Sequence, residues 1–317
     1  MTERPPPDSD VAESREGGRK FAAVFGGAIA LVGLAVAIAA LVRAWDALVE
    51  ATFVAWAVAL AVACGVAGML VIGSTWSWIL HRYGSGLPTA TAIRIYFFGQ
   101  LGKYVPGGLW TVVGRGELAA AAGVRREDGY ASTVTSMATT YTAAAVVGAV
   151  FIAVGDTDGT QLGLAIAAAV ALAAVVIVCL SDPVMRRINA LASRFRSMRP
   201  LPSSPPSRTA TLILMATPAW LLIGTATWLV GIGLGYERDL PAVLAATALS
   251  WLVGFLIVPL PGGLGAREAV FIALIGGSTD EAAAIAVIAR AVFVAVDLLG
   301  AAGSWMVETT TGRRTST

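Results

Sequence analysis

An all-α integral membrane protein is predicted by three observations: the bulk composition, a series of apolar runs of membrane-crossing length, and a Pro-Gly-Gly-Leu segment that occurs twice. Hydrophobic residues make up 57% of the 317 positions and charged residues 13%, with a mean hydropathy of +0.77; a soluble domain carries about 25% charged residues. Apolar runs near 22–42, 52–80, 130–154, 161–180, 210–233, 242–260 and 282–307 each approach the ~20 residues that cross hydrocarbon. With the two PGGL segments left over, the expected architecture is about 7–8 transmembrane helices. Two Gly/Pro-broken segments, re-entrant or discontinuous, arise from an internal repeat.

The organisation follows from composition along the chain. Residues 1–20 are polar and Pro-rich, which suits a disordered cytoplasmic tail and not a signal peptide. Residues 21–180 form the first half of the membrane domain, with its broken segment near 99–122. A basic loop at 181–209 holds Arg186, Arg187, Arg194, Arg196, Arg199 and Arg208 against the single acid Asp182, and the positive-inside bias puts it in the cytoplasm. Residues 210–308 form the second half, broken near 259–277, and 309–317 are a C-terminal tail. The N-terminus and the turn at His81 and Arg82 then lie in the cytoplasm, while the loops at Asp156 and Asp158 and at Glu237 and Asp239 lie outside. A multi-pass protein of the cell (plasma) membrane is expected. If both PGGL segments dip in and return, Arg313 and Arg314 end up outside; one full crossing gives eight spans and restores the bias.

Composition also excludes. A formal charge of +2 gives no reason to expect nucleic acid. Cys64 and Cys179 lie in apolar runs without CxxC spacing, so neither a metal site nor a disulfide framework is indicated. HExxH, GxSxG and the Walker A pattern GxxxxGK[ST] are all missing from the sequence, so no metal and no cofactor is expected.

The functional signal sits in the two broken segments. Non-helical backbone in hydrocarbon leaves N–H and C=O groups unpaired, so it must line a cavity or pack inside the bundle. Pro106, Gly107 and Gly108 in the first copy, and Pro261, Gly262, Gly263 and Gly265 in the second, are the turn residues: proline ends a helix and glycine permits the sharp turn. Paired broken segments in two halves point to a transporter site near the midplane. Lys103, Arg115, Glu117, Arg267, Glu268, Arg290 and Asp297 lie in or beside apolar segments, where an ionisable side chain is costly and marks function. These seven are the candidate substrate-binding residues, with none catalytic. On a helix Arg115 and Glu117 point about 200° apart, and Arg267 and Glu268 about 100° apart, so neither doublet pairs with itself. Arg290 and Asp297, seven residues apart, share one helix face. The two segments are expected to meet, pair across their interface, and place these charges in one cavity. Arginine left over there would take a phosphate in its planar fork. Lys103 would either hold the same anion or snorkel to the interface, and the whole set could instead be a buried ion-pair network that fixes packing.

The stretches GQLGKYVPGGLWTVVGRGELAAAAGV and VPLPGGLGAREAVFIAL together resemble the lysylphosphatidylglycerol synthase transmembrane region family, flippase-like modules that also occur free-standing. The second motif matches at Pro261, Gly262, Gly263, Leu264, Gly265, Arg267 and Glu268, and the looser first motif at Pro106, Gly107, Gly108, Arg115 and Glu117. The resemblance implies lipid translocation: an anionic or aminoacylated phospholipid, or a polyprenyl-phosphate-linked sugar, moved between leaflets for cell-envelope biogenesis. An aminoacyl-transferase domain, present in bifunctional members, is not expected here, since the sequence ends at Thr317. The partners implied are a membrane lipid or lipid-linked sugar and an envelope-biosynthesis enzyme. Two other classes stay open, an integral membrane glycosyl or phosphoryl transferase acting on a lipid phosphate and a non-catalytic scaffold for an envelope enzyme.

Overall fold

In a sequence that is 57% hydrophobic, the helices pack a core of apolar side chains, leave large apolar side chains on the outside as well, and bury a few charges. Leu214 is 70% exposed and Val154, Leu256 and Leu299 are exposed too, whereas Arg115 is 2% and Asp297 0% exposed. Exposed large apolar side chains together with buried charges suit a lipid surround.

The computed structural model describes residues 54–105, 109–155, 176, 205–256 and 265–314, with side chains described up to Val307. The described residues form eight α-helices and no strand: α1 Ala55–Arg82, α2 Thr89–Gln100, α3 Trp110–Ala121, α4 Arg126–Gly155, α5 Pro206–Gly233, α6 Leu240–Leu256, α7 Ala266–Ile275 and α8 Thr279–Arg314. A 3₁₀ turn, Leu101–Tyr104, extends α2. Four stretches, Ala55–Arg82, Arg126–Val154, Pro206–Gly233 and Thr279–Val307, are long and apolar enough to cross a membrane. The tail 1–20, the apolar run 22–42, most of the run 161–180, the basic loop up to residue 204, and the turns bearing Pro106, Gly107, Gly108, Pro261, Gly262 and Gly263 lie outside the described residues. The expected approach of the two turns therefore lies outside the described residues.

Of the expected span 242–260, the residues up to Leu256 are described. Here α6 has 17 residues and α7 only 10, about 26 Å and 15 Å at 1.5 Å per residue. Their outer ends adjoin: Arg238, just before α6, donates from Nη1 to the Gly276 carbonyl just after α7 at 3.3 Å and pairs with Glu281 at the start of α8. Gly233 at the end of α5 accepts from the Val54 amide at 3.0 Å, so the start of α1 belongs to the same end of the bundle.

The pair α2 and α3, 12 residues each, does the opposite. Its outer ends adjoin where α1 finishes and α4 begins, because Tyr83, Gly84 and Leu87 line one depression of about 560 Å³ together with Gly123, Arg125 and Asp128. The Tyr83 hydroxyl also bonds Thr135 Oγ1 of α4 at 2.9 Å. Since α1 runs some 42 Å from one end to the other, the two short-helix pairs have their outer ends at opposite ends of the bundle. The Lys103 end of the first pair and the Arg267 end of the second, their inner ends, both reach Trp251.

The inner end of the α2/α3 pair packs at backbone contact. A Cβ on Gly102 would lie 2.7 Å from the Trp110 carbonyl, and one on Gly99 2.3 Å from Arg115 Cγ, so the pair closes only because these positions lack side chains. In the second pair Gly265 starts α7 at φ +82°, a left-handed conformation that glycine adopts without strain. Its amide donates to Glu268 Oε2 at 2.7 Å, capping the first turn of α7.

Candidate functional site

The candidate site is built around an indole. Trp251 on α6 has the Arg267 guanidinium 3.9 Å from its ring centre and the Lys103 ammonium 5.2 Å away. Phe293 and Trp220 meet it edge-on at 5.2 and 5.9 Å. An aromatic face attracts cations electrostatically, and more strongly once water is excluded. The ring thereby joins the inner ends of both short-helix pairs: Lys103 comes from the turn after α2 and Arg267 from the first turn of α7.

The acids are divided among the cations. Asp297 on α8 takes Lys103 Nζ at 2.6 Å and the Tyr104 hydroxyl at 2.6 Å, both on Oδ2; its Oδ1 has no hydrogen-bond partner among the described residues. Glu268 accepts from Arg290 Nη1 at 2.6 Å on Oε1, while its Oε2 caps α7. The common face of Arg290 and Asp297 thus reaches both short-helix pairs, with Arg290 on the second and Asp297 on the first.

Arg115 has a different setting. Its Nη2 donates to Gln100 Oε1 at 2.7 Å, and its guanidinium lies 4.2 Å from the centre of the Tyr96 ring. It lines a cavity of about 30 Å³ with Tyr96, Gln100, Tyr141, Trp220 and Trp251. Arg267 and Glu268 line a second, of about 10 Å³, with Thr227, Thr247 and Ser250. Neither Arg115 nor Arg267 has a carboxylate partner among the described residues.

Glu117 corrects the expectation of one shared cavity. The 200° separation sends it to the other side of α3, where Oε2 accepts from Arg126 Nη2 at 2.7 Å and Oε1 from the Tyr130 hydroxyl at 2.8 Å. It lines neither cavity. The partner is nine residues along the chain, beyond the Gly123 turn. Because the Arg126 side chain is 48% exposed although Glu117 is buried, the ion pair itself should contribute no more than about 1 kcal/mol. Unfolding midpoints of Glu117→Gln, Arg126→Gln and the double variant check it.

The observed geometry is the one the second motif implies, an arginine and a glutamate opening a short helix with Gly265 at its start, inside a bundle of long apolar helices. The lysylphosphatidylglycerol synthase TM region family matches the chain over residues 16–300. The chain belongs to this family. No curated protein matches it. Membership in the lysylphosphatidylglycerol synthase TM region family ties the protein to membrane lipid. For this family member the decisive additions are residues that the sequence did not flag: Trp251, Trp220, Gln100 and Arg126. Gln100 was detectable as a lone amide in an apolar run, and Arg126 as a cation one turn past the Gly123 break. A tryptophan within an apolar helix carries no such mark.

Proposed function

We propose that the protein moves a lipid with a phosphate-containing headgroup between the leaflets of the cell membrane, as a transporter and not an enzyme. The two cargo classes are a polyprenyl-phosphate-linked sugar and an anionic or aminoacylated phospholipid. The observation that carries this reading is the meeting of Lys103 and Arg267, from two separate short-helix pairs, on the single ring of Trp251. Charges of this kind are expensive inside an apolar bundle, and they mark a polar route.

In this reading α2/α3 and α6/α7 are re-entrant hairpins that dip in from opposite faces. The end carrying His81, Arg82, Arg125 and Arg126 lies in the cytoplasm by the positive-inside bias; the end with Glu237, Asp239, Asp280 and Glu281 lies outside. With the apolar runs 22–42 and 161–180 taken as crossings, six crossings and two hairpins result, both termini are cytoplasmic, and Arg313 and Arg314 fall on the side that the bias favours. The conflict between two dipping segments and the C-terminal arginines disappears, because 242–260 is then one arm of a hairpin.

The hairpin tips would part to admit a headgroup while its tails stay in lipid, across ~30 Å of hydrocarbon. Arginine holds the phosphate in its fork. Glu268 and Asp297 stay paired to Arg290 and Lys103, which leaves Arg115 and Arg267 for the phosphate and keeps the site from being purely basic, so that the cargo can leave. The test is reconstitution in liposomes with a labelled lipid of each class in one leaflet. Appearance in the other leaflet, lost in Arg115→Ala and Arg267→Ala, is the expected result. Equal rates in all three proteins for both classes would end the flippase reading, and conversion of the lipid into a new compound would make the protein an enzyme.

A further inference from the structure

Among the described residues, the charges around Trp251 do not balance. Lys103, Arg115, Arg267 and Arg290 face Asp297 and Glu268, which leaves two positive charges unmatched among the described residues. The undescribed turns 106–108 and 257–264 contain no ionisable side chain in the sequence, and Glu117 and Arg126 neutralise one another elsewhere. With Lys103 on Asp297 and Arg290 on Glu268, the excess falls on Arg115 and Arg267.

The polar atoms in the Arg115 cavity point the same way. Arg115 Nε, Trp251 Nε1, Ser136 Oγ and Thr140 Oγ1 are buried with no hydrogen-bond partner among the described residues, and all four residues line that cavity. Guanidinium and indole nitrogens can only donate, and hydroxyls can donate or accept. A ligand completing this set must bring acceptors, and phosphate oxygens are nothing else. An ammonium brings only donors and would meet two arginines. The orphan acceptor nearest in kind, Asp297 Oδ1, lines neither cavity and belongs to a carboxylate already matched by Lys103.

Resting on the translocation reading, we propose that the site selects lipids whose headgroup is a dianionic phosphate, a lipid phosphate monoester or a diphosphate ester, and turns away headgroups that carry an ammonium. Two unmatched cations suit two negative charges better than the single one of a phosphodiester. The Arg115 cavity of about 30 Å³ has room for about two water molecules, so a phosphate enters it only as the wall of Trp251 and the α2/α3 tip separate. Trp251 therefore reports on occupancy.

The experiment is equilibrium binding to the purified full-length protein in uncharged maltoside micelles, read by tryptophan fluorescence and by native mass spectrometry. The probes are farnesyl phosphate, farnesyl diphosphate, lysyl-phosphatidylglycerol, inorganic phosphate and pyrophosphate. Saturable binding of the two farnesyl probes is expected, with no displacement by lysyl-phosphatidylglycerol and at least tenfold weaker binding of both soluble anions. Arg115→Ala and Arg267→Ala should each weaken the farnesyl probes about tenfold or more, the loss of one charged hydrogen bond. If Arg115→Ala does not fold, Arg115→Lys, which keeps the charge and loses the fork, and Arg267→Gln carry the test.

Lysyl-phosphatidylglycerol binding as tightly as farnesyl diphosphate, or farnesyl probes indifferent to every arginine variant, overturns the proposal. Pyrophosphate binding as tightly as its farnesyl ester overturns the lipid source. A protein that binds the farnesyl probes but moves no lipid in liposomes loses the translocation reading and keeps the phosphate site. One that moves lysyl-phosphatidylglycerol as fast as a lipid phosphate keeps translocation and loses the selectivity.

Discussion

Asp297→Leu should lower stability by about 3 to 5 kcal/mol, the cost of stranding a buried charge, read as a fall in the unfolding midpoint of the protein in detergent. Asp297 is wholly buried and holds both Lys103 and the Tyr104 hydroxyl at 2.6 Å. Once the carboxylate is gone, the Lys103 ammonium faces Trp251 and Tyr104 rings in the company of Arg267, with no acid within reach. The double variant Lys103→Met with Asp297→Leu removes the pair together, and replacing a buried pair with apolar side chains is often nearly neutral. It should recover most of the loss, short of the bond that Tyr104 still misses, about 1 to 3 kcal/mol. Equal midpoints for the single and double variants would show that Lys103 and Asp297 do not support one another.

Gly102→Val should be the most damaging change at a position with no charge. The new Cβ would press on Trp110 carbonyl atoms at 2.7 Å and the Thr111 amide at 2.9 Å, backbone that no rotamer change can move aside. Overpacking costs typically 1 to 3 kcal/mol, and here it forces α3 away from the turn that carries Lys103, so the farnesyl probes should lose affinity along with stability. Gly86→Ala, which meets nothing within 4 Å, is the control and should leave both unchanged. Wild-type affinity in Gly102→Val would mean that the α2/α3 tip has no part in the site.

What the sequence made legible was chemistry under constraint. Seven ionisable residues stand out because hydrocarbon tolerates few, and helical geometry alone separated Arg115 from Glu117 and aligned Arg290 with Asp297. Partner choice was not legible: Arg267 rests on an aromatic face where a carboxylate was expected, because a tryptophan in an apolar run looks like any other oily residue. At 242–260 the described helix stops at Leu256, so the rest of that run lies outside the described residues. Hydropathy registers length without direction, and the Arg238 contacts to Gly276 and Glu281 add that the start of α6 lies beside the end of α7.

A protein that opens a polar path for headgroups risks opening one for protons and sodium ions too, and a membrane that leaks them loses its stored voltage. On the translocation reading, the positive charge beside Trp251 that is unmatched among the described residues would act against that loss. A small cation venturing between the short-helix pairs would meet Arg115 and Arg267, which have no carboxylate partner among the described residues, the same kind of barrier that positive groups raise against protons and cations in selective pores. The charge proposed to draw a lipid phosphate inward would thereby preserve the electrical insulation of the bilayer around it.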